Sequence, residues 1–474
     1  MYESLSHITI NKSGAFDSMR KAIVSKIIYP LSDTINGSTI LKQFRFLQES
    51  QYWSSEQLRA LQLAKLQRLV QHAYDMVPYY RKSFKQVNLL PSDIKSLQDV
   101  ERIPILSKDD VRKYKNELTA VNMPKRDFGI GNTGGSTGLP IQLYRDRQTK
   151  SWSKAAILRF HDWLGISIAD RIISIGGGSL GGILRKLSLR GMITKIRDNF
   201  EGRHFYQAFR LDKRMMREID EFVKSKNIHT LRGYPSALHV LAKLTEGEET
   251  SFSAYISKCI TTSERLYDFQ RDAIEKSFVA DVFDQYGCGE IYSIANQCEQ
   301  KDLYHVNDEH VLLETKNIGF DRTELTPAIL TNLDNYVMPF IRYDLGDIIN
   351  TGNRKCHCGR GLSVVERIEG RTYDFLVSTD GRLLSGVFIP HLFRKSTGFD
   401  RFYAYQPDLY HLQIKIVPNE RYREREMESL REHIKDFLGA DVEVTFELVT
   451  EDELPKTRSA KLFFVKSDVA KDYI

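Results

Sequence analysis

The stretch Asn132-Thr133-Gly134-Gly135-Ser136-Thr137-Gly138-Leu139-Pro140 sets glycines among hydroxyl and amide side chains in one short loop. Glycine lets successive backbone N–H groups turn toward a phosphate, and hydroxyls add further donors. The Gly-Lys-Ser/Thr ending of a P-loop is missing, so this is not a Walker site. A tight surface turn is the plainer reading of such a loop standing alone. Four other stretches keep it company. Asp284-Gln285-Tyr286-Gly287-Cys288-Gly289-Glu290 follows a strand-like run; its Tyr can stack on a base and its Glu can hold Mg2+ against phosphates. Pro339-Phe340-Ile341-Arg342-Tyr343-Asp344-Leu345-Gly346-Asp347 ends an apolar run with an Asp after Gly, a carboxylate able to accept from two ribose hydroxyls. Ile368-Glu369-Gly370-Arg371-Thr372-Tyr373-Asp374 sits where the texture of the chain changes. Pro455-Lys456-Thr457-Arg458-Ser459-Ala460-Lys461 is a basic loop near the end. Taken singly each is ordinary: a turn aspartate, a structural Tyr, a solvated Lys.

Around these motifs lie 474 residues, which at roughly 100–200 residues per domain allow two to four domains. Hydrophobic residues make up 41% and charged residues 27%, a globular composition that argues against global disorder. Lys plus Arg less Asp plus Glu is 68 − 62 = +6, too mild an excess for a dedicated nucleic-acid binder. No run approaches ~18 consecutive apolar residues, so no transmembrane helix is expected. Residues 1–14 are polar and lack the apolar stretch of a secretory signal, which points to a cytoplasmic protein. Five cysteines spread along such a chain imply reduced thiols or a metal site rather than a disulfide framework.

Residues 15–50 read as a loosely amphipathic lead-in, interrupted at Pro30 and Gly37. Bases mixed with Ile and Val over residues 19–29 leave peripheral membrane contact open; a helix packed on its own domain is the commoner case. A helix follows, opened by a Ser54/Gln57 capping box and carrying Leu58, Leu61, Leu66, Leu69, Val70 and Ala73 largely on one stripe. Pro78 ends it. Beyond it, apolar runs at 171–175, 281–285 and 328–331 alternate with helical stretches, the pattern of an α/β architecture. Near residue 370 the pattern shifts to two strands (401–405 and 409–417), a charged helix (420–438) and a further strand of alternating Val442, Val444, Phe446 and Leu448. That is a small α+β unit of its own.

In order and spacing the five motifs together resemble the adenylate-forming superfamily, which holds acyl-CoA synthetases, luciferases and peptide-synthetase adenylation domains. Val77-Pro78-Tyr79-Tyr80, Gly233-Tyr234-Pro235-Ser236 and Cys356-His357-Cys358-Gly359-Arg360 are similar to its phenylacetate–CoA ligase and CapK branch. The resemblance implies a large multi-subdomain N-terminal α/β domain (1–370) and a small mobile α+β C-terminal domain (371–474). It implies an ATP-dependent AMP-forming ligase that activates a carboxylic acid and passes the acyl group on. CoA is the default acceptor; an amine or hydroxyl in surface-polysaccharide synthesis is the alternative, and a non-catalytic binding protein the third reading. Thr133, Gly134, Gly135, Ser136, Thr137 and Gly138 would cradle the ATP phosphates. Tyr286 would stack on adenine, Glu290 would hold Mg2+ and Asp347 would take the ribose hydroxyls. Arg371 would reach the nucleotide from the hinge at residues 371–374, and Lys461 would bridge the substrate carboxylate and the α-phosphate. Tyr234, with the Ser263-Glu264 pair, would line the acyl pocket. The chain departs from the family pattern at Gly289 (usually Thr or Ser), Tyr373 (usually Asp or Lys), Ala460 (usually Gly) and Ser263 (usually Gly).

The cysteines add a metal candidate. Cys356 and Cys358 flank one residue, and Cys298 and His305 lie either side of a polar turn that can fold as a hairpin. Three thiolates and an imidazole suit a closed tetrahedral zinc site, with Cys288 or His357 as substitute ligands and free thiols as the bland alternative. Two signals compete with this picture. Gly176-Gly177-Gly178-Ser179-Leu180-Gly181 fits G-x-G-x-x-G, with Asp198 about 20 residues on, but the pattern matches easily by chance. Arg185, Lys186, Arg190, Lys195 and Arg197 form a basic run that fits an anionic acceptor or membrane, though a solvated helix face is the commoner case. His161, His204 and His239 carry no partner pattern.

Overall fold

A computed structural model describes residues 17–124, 128–132, 142–176, 203–208, 211–315, 325–352, 354–371, 375–385, 389, 398–455 and 464–473. Pro30 does not interrupt the lead-in. It sits at the start of the Tyr29–Ile35 helix, where its fixed φ is compatible with the helical backbone. A π-helical turn, Val24–Ile28, feeds directly into it. The break falls at Gly37, whose φ of +58° is left-handed.

The Ser55–Met76 helix opens with the expected capping box, Ser54 and Gln57 each accepting from the other's backbone N–H. Leu58, Leu66, Leu69, Val70 and Ala73 are buried, but Leu61 is only half-buried. Gln62 and Lys65 are buried on the same face. Gln62 donates to the Val311 carbonyl, and Lys65 donates to the Glu309 carbonyl and pairs with Asp334 at 2.9 Å. The helix ends at Val77, and Pro78 then opens a second helix, Pro78–Gln86.

Strands β1 (Phe128–Asn132) and β2 (Gln142–Asp146) form an antiparallel hairpin whose last pair is Asn132 with Gln142. The main sheet takes β3 (Ile172–Gly176), β4 (Arg203–Gln207), β5 (Thr230–Gly233), β6 (Lys258–Thr262) and β7 (Asp281–Tyr286) in parallel. β8 (Ala295–Gln297) and β9 (Tyr304–Val306) extend it antiparallel. A second, antiparallel sheet runs β10 (Val311–Thr315), β11 (Leu325–Asn332), β12 (Tyr343–Asn350) and, beyond the short β13 (Val364–Val365), β14 (Arg367–Arg371). β13 closes the far edge of the main sheet, giving the order β13-β9-β8-β7-β6-β5-β3-β4. Helices Lys213–Lys226, Pro235–Leu244 and Asp268–Phe278 bury Ile219, Val223, Leu238, Leu241, Ile274 and Phe278 against Ile173, Leu231 and Val282 of the parallel strands. β7 is buried without alternation from Val282 to Tyr286, as a strand covered on both faces is.

The small C-terminal unit has its own core. After β15 (Phe375–Val377) and β16 (Leu383–Ser385), β17 (Phe399–Asp408) and β18 (His411–Pro418) pair antiparallel. The Glu424–Leu438 helix lays Met427, Leu430 and Ile434 on Leu412, Ile414 and Val444. β19 (Glu443–Leu448) and β20 (Val465–Ser467) complete the sheet, each in parallel. β20 has only three residues and no alternation to reveal it in the sequence. The chain is thus a large mixed α/β domain followed by a distinct small α+β domain. Among the described residues no helix is long and apolar enough to cross a membrane.

Candidate active site

The parallel strands converge on one edge. Gly176 closes β3, Tyr234 follows β5 and precedes the Pro235–Leu244 helix, Ser263-Glu264 follows β6, and Tyr286 closes β7. Ligands of open α/β sheets bind at the carboxyl ends of parallel strands, so tertiary structure gathers at one rim motifs that the sequence scatters over more than a hundred residues. Glu264 accepts from the Ser236 amide at 3.1 Å, linking the β6 turn to the start of the helix after Tyr234. Ser263 has a φ of +73°, a backbone conformation that favours glycine.

Asp284, Gln285 and Tyr286 lie inside β7 rather than after it. Asp284 is buried beneath the rim and accepts from Thr261 Oγ1 at 2.6 Å and Tyr304 Oη at 2.8 Å; burial pushes its carboxyl up. Tyr286 Oη donates to Asp347 Oδ2 at 2.8 Å. Asp347 is in mid-strand, not at the end of a run, and its register partner across β12 and β14 is Arg371. Tyr286, Asp347 and Arg371 are therefore brought together. Tyr343 Oη donates to Glu290 Oε1 at 2.8 Å, and Glu290 is 6% exposed. Gly287 admits no side chain, since a Cβ there would lie 1.6 Å from the Tyr292 carbonyl oxygen. Residues Thr133 to Gly138, the hinge at 372–374, the side chain of Arg371, and Lys461 lie outside the described residues, as do 177–202 with the remaining glycines and the basic run.

Sequence reasoning missed Arg145. It is 6% exposed on β2 and donates from Nη1 to Tyr292 Oη at 2.7 Å and from Nη2 to the Gly289 carbonyl. A lone Arg in a short strand gives no signal in the sequence. It also missed Tyr343, which lies within the quoted Pro339-to-Asp347 stretch but shows its role only across 53 residues, at Glu290.

The metal candidate assembles as four side chains. The Sγ atoms of Cys298, Cys356 and Cys358 and a ring nitrogen of His305 lie within 4.8 Å of one another. β8 and β9 pair Asn296 with His305, which is the hairpin expected around the polar turn. Cys298 and Cys356 Sγ are 3.6 Å apart, and Cys358 Sγ is 3.3 Å from His305 Nε2. A tetrahedron with bonds of ~2.3 Å has sulfur–sulfur edges of about 3.8 Å, so the donor set fits zinc. Burial, with Arg360 and Arg159 nearby, holds the His305 imidazole down at about 4, neutral and able to ligate. Burial would raise the Cys358 thiol, but hydrogen bonds from Arg360 outweigh it and hold it below its usual value. Cys288 and His357 are not part of this cluster. Cys288 sits by Glu290 and Tyr343, its thiol pushed up by burial.

Comparison with known proteins agrees with this fold. Residues 376–468 match the model of the CapK C-terminal domain. The chain is 23% identical over 395 residues to Protein CapK of Staphylococcus aureus, covering 82% of this chain and 85% of that one. It is 26% identical over 344 residues to phenylacetate-coenzyme A ligase of Aromatoleum evansii, covering 68% and 72%. Among solved structures, 2-hydroxyisobutyryl-CoA ligase in its postadenylation state superposes with a TM-score of 0.69 at 18% identity, covering 88% of this chain and 91% of that chain. The same ligase in its thioesterification state gives 0.59. In sequence and fold the chain is thus similar to the adenylate-forming CoA ligases and, through its small domain, to the CapK-like branch of that superfamily.

Proposed function

We propose that the chain is an ATP-dependent, AMP-forming ligase. A substrate carboxylate oxygen attacks the α-phosphorus of ATP, pyrophosphate leaves, and the acyl-adenylate forms. A nucleophile then attacks the acyl carbonyl and AMP leaves. The observation that carries this reading is the Tyr286–Asp347 hydrogen bond at the strand-end rim, which joins two separate candidate nucleotide residues beside Glu290. Asp347 takes the ribose, Tyr286 frames the adenine and Glu290 holds Mg2+. The 133–138 loop and Lys461 neutralise phosphate charge, the largest contribution such a site makes to rate. Tyr234, Ser263 and Glu264 border the acyl side. The chain divides at residues 370/371, with Arg371 at the hinge.

CoA is the acceptor by likeness to the phenylacetate-coenzyme A ligases. A second reading, transfer to an amine or hydroxyl in polysaccharide assembly, is favoured by the CapK match in the small domain. Cys298, His305, Cys356 and Cys358 hold a structural zinc ion with no open position for substrate. Carboxylate-dependent ATP–pyrophosphate exchange across a panel of acids, followed by product analysis with and without CoA, tests the ligase reading. No exchange with any acid would reject it, and a product formed only with an amine or alcohol would replace CoA as acceptor.

A further inference from the structure

The nine residues 133–141, between β1 and β2 in the chain, include no Lys, Arg, Asp or Glu. Backbone N–H groups and hydroxyls alone would have to meet a polyphosphate carrying several negative charges. The strands on either side of this stretch supply the charge it lacks. Arg145 faces Gly129 in the β1–β2 register, yet its guanidinium reaches along β1 to Gly131: a Cβ on Gly131 would lie 2.5 Å from Arg145 Nη1. Lys150, in the first turns of the Arg147–Trp163 helix, lies over the same strand, its Nζ 2.2 Å from where a Cβ on Gly129 would sit. Both glycines of β1 are thus kept bare by a cation lying across the backbone.

Arg145 repels Lys150, and Asp146 attracts Lys150 only from beyond ion-pair distance. Among the described residues no carboxylate lies within ion-pair distance of Arg145 or Lys150. Arg145 is 6% exposed, its Nε has no hydrogen-bond partner, and its other contacts are neutral: Tyr292 Oη, the Gly289 carbonyl, and the Tyr292 ring at 4.3 Å. A buried cation without a counter-ion is costly, and here a second cation sits alongside on the same strand. Tyr292 is held at a left-handed φ of +75° in the turn that carries Glu290. Strain of this kind concentrates where a ligand is awaited.

We propose that Arg145 and Lys150 form a polyphosphate contact, binding the departing pyrophosphate of ATP from the β1–β2 side while Glu290 approaches it from the other. This rests on the ligase reading above. A guanidinium binds phosphate oxygens in pairs where an ammonium offers a point charge, so Arg145→Lys is informative. The test measures magnesium pyrophosphate and AMP binding by calorimetry, and the KM for pyrophosphate in ATP–pyrophosphate exchange. Arg145→Lys should raise the pyrophosphate Kd and KM at least tenfold and Lys150→Met at least threefold, with AMP affinity changed less than twofold. Tyr292→Phe removes the phenol oxygen but keeps the guanidinium, and should leave pyrophosphate affinity within twofold. Unchanged pyrophosphate affinity in Arg145→Lys and Lys150→Met, in a protein that exchanges normally, would overturn the contact and leave the ligase reading standing. Equal losses for AMP and pyrophosphate would make Arg145 a strut of the turn and would also overturn it. A wild-type protein that binds pyrophosphate through Arg145 but exchanges with no acid would keep the anion contact and remove the ligase reading.

Discussion

Asp347 is held by Tyr286 and stands opposite Arg371, so its carboxylate is anchored on a strand rather than a loop. Asp347→Ala removes the acceptor proposed for two ribose hydroxyls, each hydrogen bond to a charged group contributing roughly 1.5–3 kcal/mol. Calorimetry should show ATP affinity falling at least tenfold; an unchanged Kd would remove Asp347 from the ribose. Lys461→Ala should lower exchange by about 10²–10³, the scale of losing one preorganised charge at a developing anion, while ATP still binds. Near wild-type exchange in that variant would refute the role given to Lys461.

At the scale of elements, the Cys298, His305, Cys356 and Cys358 set ties the β8–β9 hairpin to the loop before β14. Arg360 strengthens that tie by pairing with Glu299 at 2.9 Å and lying over Trp163. Untagged protein should carry close to one equivalent of zinc. Cys356→Ser should lose it and melt lower, because a structural metal bound only by the folded chain adds its binding energy to folding. Less than about a tenth of an equivalent in the wild type would dismiss the site. A second tie is the pair Arg159–Glu309, 2.6 Å apart and fully buried, which fastens the Arg147–Trp163 helix to the turn after β9 with help from Ser50 and Asn307. Glu309→Ala strands the guanidinium and should destabilise the protein by about 3–5 kcal/mol in urea denaturation. A loss below about 1 kcal/mol, the size of an exposed pair, would mean that water reaches this site.

Across the whole molecule, the two domains meet through an aromatic contact. Phe464, at the start of β20 and three residues after Lys461, packs edge-on against Tyr267 at 5.1 Å and Phe269 at 6.1 Å, on the turn after β6 and the helix it opens. Aromatic pairs of this kind contribute roughly 0.5–1.5 kcal/mol each beyond their buried area. Phe464→Ala should therefore speed proteolysis at the domain junction several-fold while the denaturation midpoint of the large domain stays in place. An unaltered cleavage rate would mean that the small domain is held by other contacts.

The sequence by itself determined the α/β class, the small α+β unit and the capping box at Ser54, which follow from period and turn chemistry that a chain carries wherever it folds. The candidate nucleotide residues came from the resemblance of five ordered motifs to a known family, and the candidate metal ligands from the spacing of cysteines and a histidine. Sequence reading missed β20, the second helix opened by Pro78, and the buried Gln62 and Lys65. Three residues carry no period, and a polar side chain shows its burial only through a distant partner, as Lys65 does with Asp334. Only the tertiary structure decided which motifs share a site. The parallel order of β3, β5, β6 and β7 brings Gly176, Tyr234, Glu264 and Tyr286 to one rim, and the pairing of β12 with β14 sets Asp347 beside Arg371. It also excluded Cys288 and His357 from the metal cluster and revealed Arg145, because unpaired charge is a property of surroundings, and surroundings exist only once the chain has folded.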